Sequence, residues 1–400
     1  MYPKEMCKMY DFNVINDRRN TNSLKFDFAK ENNMPEGLVS MWIADMDFMA
    51  PDSVVNALRE YVNKGIFGYS DPKDDYYEVV INWFKKHFDW EIKKEWIVKT
   101  PGVVIALALA VRAFTEKGDA VIIQPPVYYP FYNVIRNNER KIIESPLIYK
   151  DGAYSIDFED FENKIKENDV KLFIMCSPHN PVCRVWTKEE LKKLGEICKK
   201  YGLYVVADEI HCDFVYPGFE HTPFMLACPE MADRTVICTA PSKTFNIAGL
   251  QMSNIVIPGE KTRALYEKEV LSAGHTCSNA MGIIAAKAAY EGGEEWYNEC
   301  FSYIRGNLDY VRSFVKDNLP GIKLIEPQGT YFAWLDCSGL GMNKDELNDF
   351  IVNKAKLWLD GGHIFGESSE LFQRIVLACP RATVEKAMAN LKAAVDQLKK

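Results

Sequence analysis

The sequence predicts an α/β protein with a mostly parallel central sheet flanked by helices, plus a smaller α/β domain. Three observations carry this. From about residue 100 to 257, short apolar runs alternate with helix-length segments, the pattern of a parallel sheet with crossover helices. Several runs stop at polar or proline-rich tips, such as Ser177-Pro178-His179-Asn180-Pro181 and Asp208-Glu209. After about residue 260 the pattern changes to longer helices, roughly 260–272, 278–291 and 294–318. The division expected is a large domain over 50–290. An N-terminal segment, 1–49, joins 291–400 in a small C-terminal domain.

The first fifty residues read as irregular, with a dense mixture of apolar residues and carboxylates at Met41–Phe48. Asp52 is placed to N-cap a helix from about Ser53 to Lys64, and Gly65 to end it. A second amphipathic stretch runs from Tyr76 to Phe88. Thr100-Pro101-Gly102 opens an apolar helix near Val103, whose free N–H groups and dipole suit a phosphate. Strands follow at 120–123, 171–176, 203–207, 235–238 and 253–257. Thr187 with Glu190 makes a capping box for a helix to about Tyr201. Beyond 320, strand-like stretches at 330–335 and 375–379 flank a helix near 344–357, and a helix closes the chain.

Composition bounds the partners. The 400 residues are 48% apolar, enough for a core without metal or disulfide staples. With 48 Lys and Arg against 56 Asp and Glu, the net charge of -8 gives no footprint for nucleic acid or an anionic membrane. Eleven scattered cysteines lack a disulfide spacing. Arg18-Arg19 is followed by polar residues rather than an apolar signal stretch. The longest apolar run, Val103–Val111, is too short to span a bilayer. The expectation is a cytoplasmic, reduced protein.

The chemistry gathers at the strand tips. Lys243 sits just past the 235–238 run, in a turn closed by Gly249, at the edge where open α/β sheets bind ligands. A desolvated lysine there can attack a carbonyl. Neighbouring tips carry Tyr128, Tyr129, Asn180 and Asp208, and the helix start at Gly102 joins them. One ligand needs all of these: a phosphate-bearing aromatic aldehyde. The lysine makes the imine, the helix start holds phosphate, and an aromatic stacks on the ring. Asn180 donates to a ring oxygen, and Asp208 pairs with a ring nitrogen. That ligand is pyridoxal 5′-phosphate (PLP).

With these residues in place, the chain resembles the fold-type I PLP enzymes. More narrowly it resembles the MalY/PatB-type cystathionine β-lyases, or C–S lyases, of the class I/II aminotransferase superfamily. The stretches that carry the resemblance are Asp17–Thr21, Met41–Phe48, Thr100–Val104 and Pro126–Phe131. Ser177–Pro181, Ala207–His211, Ala240–Gly249, Phe372–Arg374 and Ala378–Arg381 complete the set. The resemblance implies that Lys243 binds the cofactor aldehyde and then moves protons, and that Asp208 holds the pyridinium. It also implies that Tyr128 stacks on the ring, Tyr129 acts on the substrate side and His211 supports Asp208. Phosphate would be held by Gly102, Val103, Val104 and Ser242, with Tyr69 reaching it from the other subunit of a homodimer. Arg374 would clamp the substrate carboxylate, bordered by Ala44 and Asp45.

The chain departs from the family pattern at Cys183, Ala240, Gln251 and Val376. The implied reaction is α,β-elimination from cystathionine or a cysteine S-conjugate, giving thiol, pyruvate and ammonia. The same residues also serve an aminotransferase, and a regulatory protein retaining the fold is a third reading. Cys176, His179, Cys183, His211 and Cys212 match no closed four-ligand spacing, so no metal is expected.

Overall fold

The computed structural model describes residues 10–398, with the first nine residues of the N-terminal segment and the final Lys399-Lys400 outside it. A seven-stranded sheet forms the centre. Its order is Ile97–Thr100, Ser253–Val256, Thr235–Thr239, Tyr204–Asp208, Val170–Cys176, Ala120–Ile123 and Lys141–Glu144. The last five are parallel, and Ser253–Val256 runs antiparallel to both its neighbours. These strands are Val/Ile-rich and mostly buried on both faces, as parallel sheets require. Alternate residues feed separate cores: Phe173, Met175, Val205 and Ile237 on one side, Leu172, Ile174, Val206 and Val236 on the other.

Parallel direction brings the strand ends to one edge. Cys176, Asp208 and Cys238 lie side by side in register. The backbone locks the tips together, since Ser177 N–H donates to the Asp208 carbonyl at 3.0 Å and Glu209 N–H to the Cys238 carbonyl at 3.0 Å. The helix Val103–Phe114 packs on this sheet, and the Tyr266 hydroxyl of helix Glu260–Ser272 donates to the Ala106 carbonyl at 3.2 Å.

A second, antiparallel sheet lies in the order Lys323–Ile325, Phe332–Asp336, Phe372–Val376, Asp360–Gly361. It aligns Trp334, Arg374 and Asp360 across three strands. The N-terminal segment joins this part through Val39–Ser40, which pairs in parallel with Leu357–Trp358.

Several expectations hold locally. Gly65 ends its helix at φ 67°, and the Thr187–Glu190 capping box forms. Others shift. Asp52 is the first helical residue rather than the cap, because Pro51 takes the N-cap position and no side chain caps that helix. The strand expected at 375–379 is Phe372–Val376. Residues after it turn towards the helix Arg381–Leu398, with Asn307 Nδ2 donating to the Leu377 and Cys379 carbonyls at 2.9 and 2.8 Å. The helix expected over 344–357 stops at Asp349, continues as a π-helical turn Phe350–Lys354, and gives way to the short Leu357–Trp358 strand. Among the described residues no helix is long and apolar enough to cross a membrane.

Candidate active site

A cavity of about 300 Å³ opens at the strand edge. Lys243, Asp208, Asn180 and Tyr128 line it, together with the start of the Val103–Phe114 helix. Each comes from a different element, so the fold rather than local sequence assembles them.

Lys243 lies in a short helix, Pro241–Thr244, directly after its strand. Its ammonium donates to the Ala44 carbonyl at 2.6 Å. Burial lowers its pKa to about 8; Arg374 pushes the same way, and the carboxylates of Asp45 and Asp208 oppose them. Asp208 is 3% exposed and accepts from the Ile210 N–H at 3.2 Å. Desolvation lifts its pKa to about 7 despite the neighbouring Lys243. A buried carboxylate in this state gains from a cationic partner. His211 is also buried, and desolvation, then Lys243 and Arg374, hold its pKa well below the usual value. Its ring packs edge-on against Tyr331 and Phe332.

Arg374 is 2% exposed and held on three sides. Nη1 donates to Asn180 Oδ1 at 2.8 Å, and Nη2 donates to the Trp42 carbonyl at 2.9 Å and to the Asp360 carboxylate. The Asn180 oxygen is thereby engaged, which orients its amide. These contacts use three of the five guanidinium N–H donors and leave two.

The helix Val103–Phe114 has no side-chain cap, so the first-turn N–H groups at Val103, Val104 and Ile105 face the cavity end of its dipole. Ser242 and Gln251 line the same cavity. Lysine, buried carboxylate, flat aromatic wall and open helix start together suit a phosphorylated aromatic aldehyde.

Of the other residues singled out from sequence, Ala44 lines this cavity, while Asp45 lies in an adjoining one of about 650 Å³ that also reaches Lys243 and Ala44. Asp45 pairs with Arg18 at 2.6 Å. Tyr129 faces a third cavity, its ring 5.5 Å from that of Tyr128. Tyr69 is 99% exposed and outside the cavity of its own chain. Cys183 takes φ 60°, a region glycine favours, while its carbonyl accepts from Gln328 and Gly329 N–H at 2.9 and 3.0 Å. Cys176, Cys183 and Cys212 are free and buried. Among the described residues no group of three or more His, Cys, Asp or Glu could hold a metal ion.

Sequence reasoning missed three participants. Asp360, a lone carboxylate in the apolar run Leu357–Asp360, fixes Arg374; its placement in that run was the available signal. Trp42 contributes its backbone carbonyl, which no side-chain pattern reveals. Asn246 ties the lysine loop to the N-terminal segment, donating to Phe48 and Met46 carbonyls at 2.7 and 3.2 Å and accepting from Met46 N–H at 3.3 Å. It also takes φ 56°. Asn246→Ala is expected to cost about 2–4 kcal/mol in chemical denaturation, from lost hydrogen bonds and a strained backbone. Asn246→Gly, which keeps the backbone relaxed, should cost about 1 kcal/mol less.

The comparisons with known proteins agree with this geometry. The family described as aminotransferase class I and II matches residues 37–391. Cystathionine beta-lyase PatB of Bacillus subtilis (strain 168) is 42% identical over 386 residues, covering 96% of this chain and 100% of the relative. The crystal structure of cystalysin from Treponema denticola, which contains a pyridoxal 5′-phosphate cofactor, superposes with a TM-score of 0.94 at 39% identity, covering 98% of this chain and 100% of that one. The PLP-bound C–S lyase from Staphylococcus hominis superposes at 0.91 with 36% identity, covering 96% and 98%. The chain belongs to the class I and II aminotransferase family.

Proposed function

We propose that the protein is a PLP-dependent C–S β-lyase that splits cystathionine or other cysteine S-conjugates into a thiol, pyruvate and ammonia. The observation that carries this is the convergence of Lys243, Asp208 and Asn180 on one cavity, with Arg374 bonded to Asn180 at its edge. The elimination, rather than amino transfer, is supported by the relatives named for C–S bond cleavage.

Lys243 would hold the cofactor's aldehyde carbon, Asp208 its ring nitrogen, and the Asn180 amide its ring oxygen. Tyr128 would cover the ring face. The N–H groups at Val103 and Val104, next to Gly102, and the Ser242 hydroxyl would hold the phosphate. His211, kept neutral beside Asp208, adds no competing positive charge. When bound, the cofactor supplies a sink for the electron pair left on Cα.

Arg374 takes the substrate carboxylate, and Asp360 keeps the guanidinium in place. Ala44 and Asp45 border the substrate from the N-terminal segment, and Tyr129 closes the side beyond Tyr128. Lys243, once free, takes the Cα proton, a task matched to its lowered pKa. The Cβ–S bond then breaks and the sulfur leaves as thiolate, to which Lys243 can pass the proton taken from Cα. The remaining aminoacrylate takes up water to give pyruvate and ammonia.

Among the described residues the two sheets support a division into 50–290 and 1–49 with 291–400, the N-terminal segment joining the second part through the pairing of Val39–Ser40 with Leu357–Trp358. A homodimer fits the exposed Ile66, Phe67 and Tyr69, 76%, 59% and 99% accessible, which form an apolar patch of the kind that marks interfaces. Tyr69 would then reach the partner's phosphate site. Charge and composition fit a cytoplasmic enzyme acting on small amino acids, without nucleic acid or membrane partners.

The test adds cystathionine to the PLP-loaded protein and assays pyruvate and free thiol. Both should appear in equal amounts; steady amino transfer to a keto acid without pyruvate would replace this reading with aminotransfer. A second expectation concerns pH. With Lys243 protonated below about 8, capture of PLP by the apoprotein should speed up roughly tenfold per pH unit up to about 8, then level, as followed by rapid-mixing absorbance.

A further inference from the structure

The strand that carries Arg374 borders the third cavity, the one that Tyr129 faces. It has a volume of about 420 Å³, and Trp42, Tyr129, Trp358, Gly361, His363 and Gln373 lie on its walls. Trp42 and Trp358 stack with ring centroids 4.9 Å apart and planes 8° from parallel, giving the slot a flat apolar side. Gly361 leaves room for the imidazole of His363, because a Cβ there would come within 2.7 Å of that ring.

Two donors on these walls have no partner among the described residues: the Trp42 indole Nε1 and the Gln373 amide Nε2. Gln373 is 2% exposed. Buried N–H groups are nearly always paired, so two orphans on the wall of one cavity mark a place for an acceptor. Asp360 also lines the slot, and its carboxylate is ion-paired with Arg374.

The buried side chain of Arg374 lies between this slot and the cavity lined by Lys243. Arg374 links the two, donating through Nη1 to Asn180 on one and through Nη2 to the Trp42 carbonyl and Asp360 on the other. The adjacent Tyr128 and Tyr129 divide between them in the same way.

We propose that this slot is the subsite for the far end of the sulfur substrate: a carboxylate carried on an apolar thioether stem, accepting from Trp42 Nε1 and Gln373 Nε2. The proposal rests on the lyase reading above. It makes the preferred substrates cysteine S-conjugates that end in a carboxylate, and disfavours those ending in a small alkyl group.

Two variants of the PLP-loaded protein test it. Trp42→Phe keeps the stacked ring and removes the N–H; Gln373→Met keeps the volume and removes the amide, so either can decide if the other folds poorly. The probe for binding is 4-(methylthio)butyrate, which has the stem and carboxylate but no amine to react with the cofactor. Calorimetric titration should show it binding the parent, and about tenfold more weakly to each variant. The ratio of kcat/KM for cystathionine over S-methylcysteine should fall by about the same factor, through KM rather than kcat. A parent that does not bind the probe, or variants that bind it as tightly as the parent and keep the ratio, would overturn the subsite. If the parent releases no pyruvate from either substrate, the lyase reading falls and the titration alone decides the slot.

Discussion

Lys243→Ala is expected to lower pyruvate formation from cystathionine by at least about 10³-fold in the PLP-loaded protein, because one amine both holds the cofactor and moves the proton. The structure explains why no neighbour substitutes. His211 is buried and resists protonation, and Arg374 cannot act as a base. Folding should survive. The substitution removes a hydrogen bond to the Ala44 carbonyl and also a buried cation whose pKa is held down to about 8 by desolvation. These effects oppose each other, so the thermal midpoint should move by only a few degrees. Borohydride treatment followed by mass spectrometry gives a separate readout: cofactor should become fixed to Lys243 in the parent and to nothing in the variant. Retained turnover, or fixation at another lysine, would mean that the lysine assignment is wrong. A regulatory protein that merely binds PLP would show neither the turnover nor its loss.

That Lys243, Asp208, Asn180, Tyr128 and Gly102 share one cavity was legible because strand tips announce themselves. Apolar runs such as Lys171–Cys176 and Thr235–Cys238 end at Pro, Asn or Asp, and parallel pairing then places those ends together. The helix start at Gly102 was legible for the same reason. What was not legible depends on distance in sequence. Asp360 holds Arg374 across a strand pair, Trp42 reaches Arg374 from 332 positions away, and Asn246 meets Met46 from 200 positions away. No local period encodes such pairs. Backbone alternatives were also hidden. Pro51 displaced Asp52 from the cap, and the antiparallel direction of Ser253–Val256 cannot be read from a run buried on both faces. Cys183 shows the converse, a side chain that sequence preference would not place at φ 60°, accommodated within a buried turn.

Asp208→Asn should expose the conflict between stability and function built into the cofactor cavity. The carboxylate is 3% exposed and its pKa stands near 7, against 3.8 for the unperturbed group, chiefly through desolvation. The folded pKa is the higher of the two. The unfolded chain therefore ionises first, and the apoprotein loses stability as pH rises from about 4 to 7, with the full cost present above 7. The apo Asn variant, which has no charge to bury, should be more stable than the parent by about 2–4 kcal/mol at pH 8, and the gap should close towards pH 4. With PLP bound the order should narrow or reverse, since Asp208 would hold the protonated ring nitrogen and its carboxylate would gain a cationic partner, a gain the amide cannot match. Turnover should fall by about 10²–10³-fold, because the electron pair on Cα is stabilised only while that nitrogen stays protonated. Denaturation curves for apo and PLP-loaded protein at pH 4.5 and 8, alongside pyruvate assays, separate these effects. A stability gap that does not change with pH would remove the buried charge as its cause, and an Asn variant with parental turnover would remove Asp208 from the reaction.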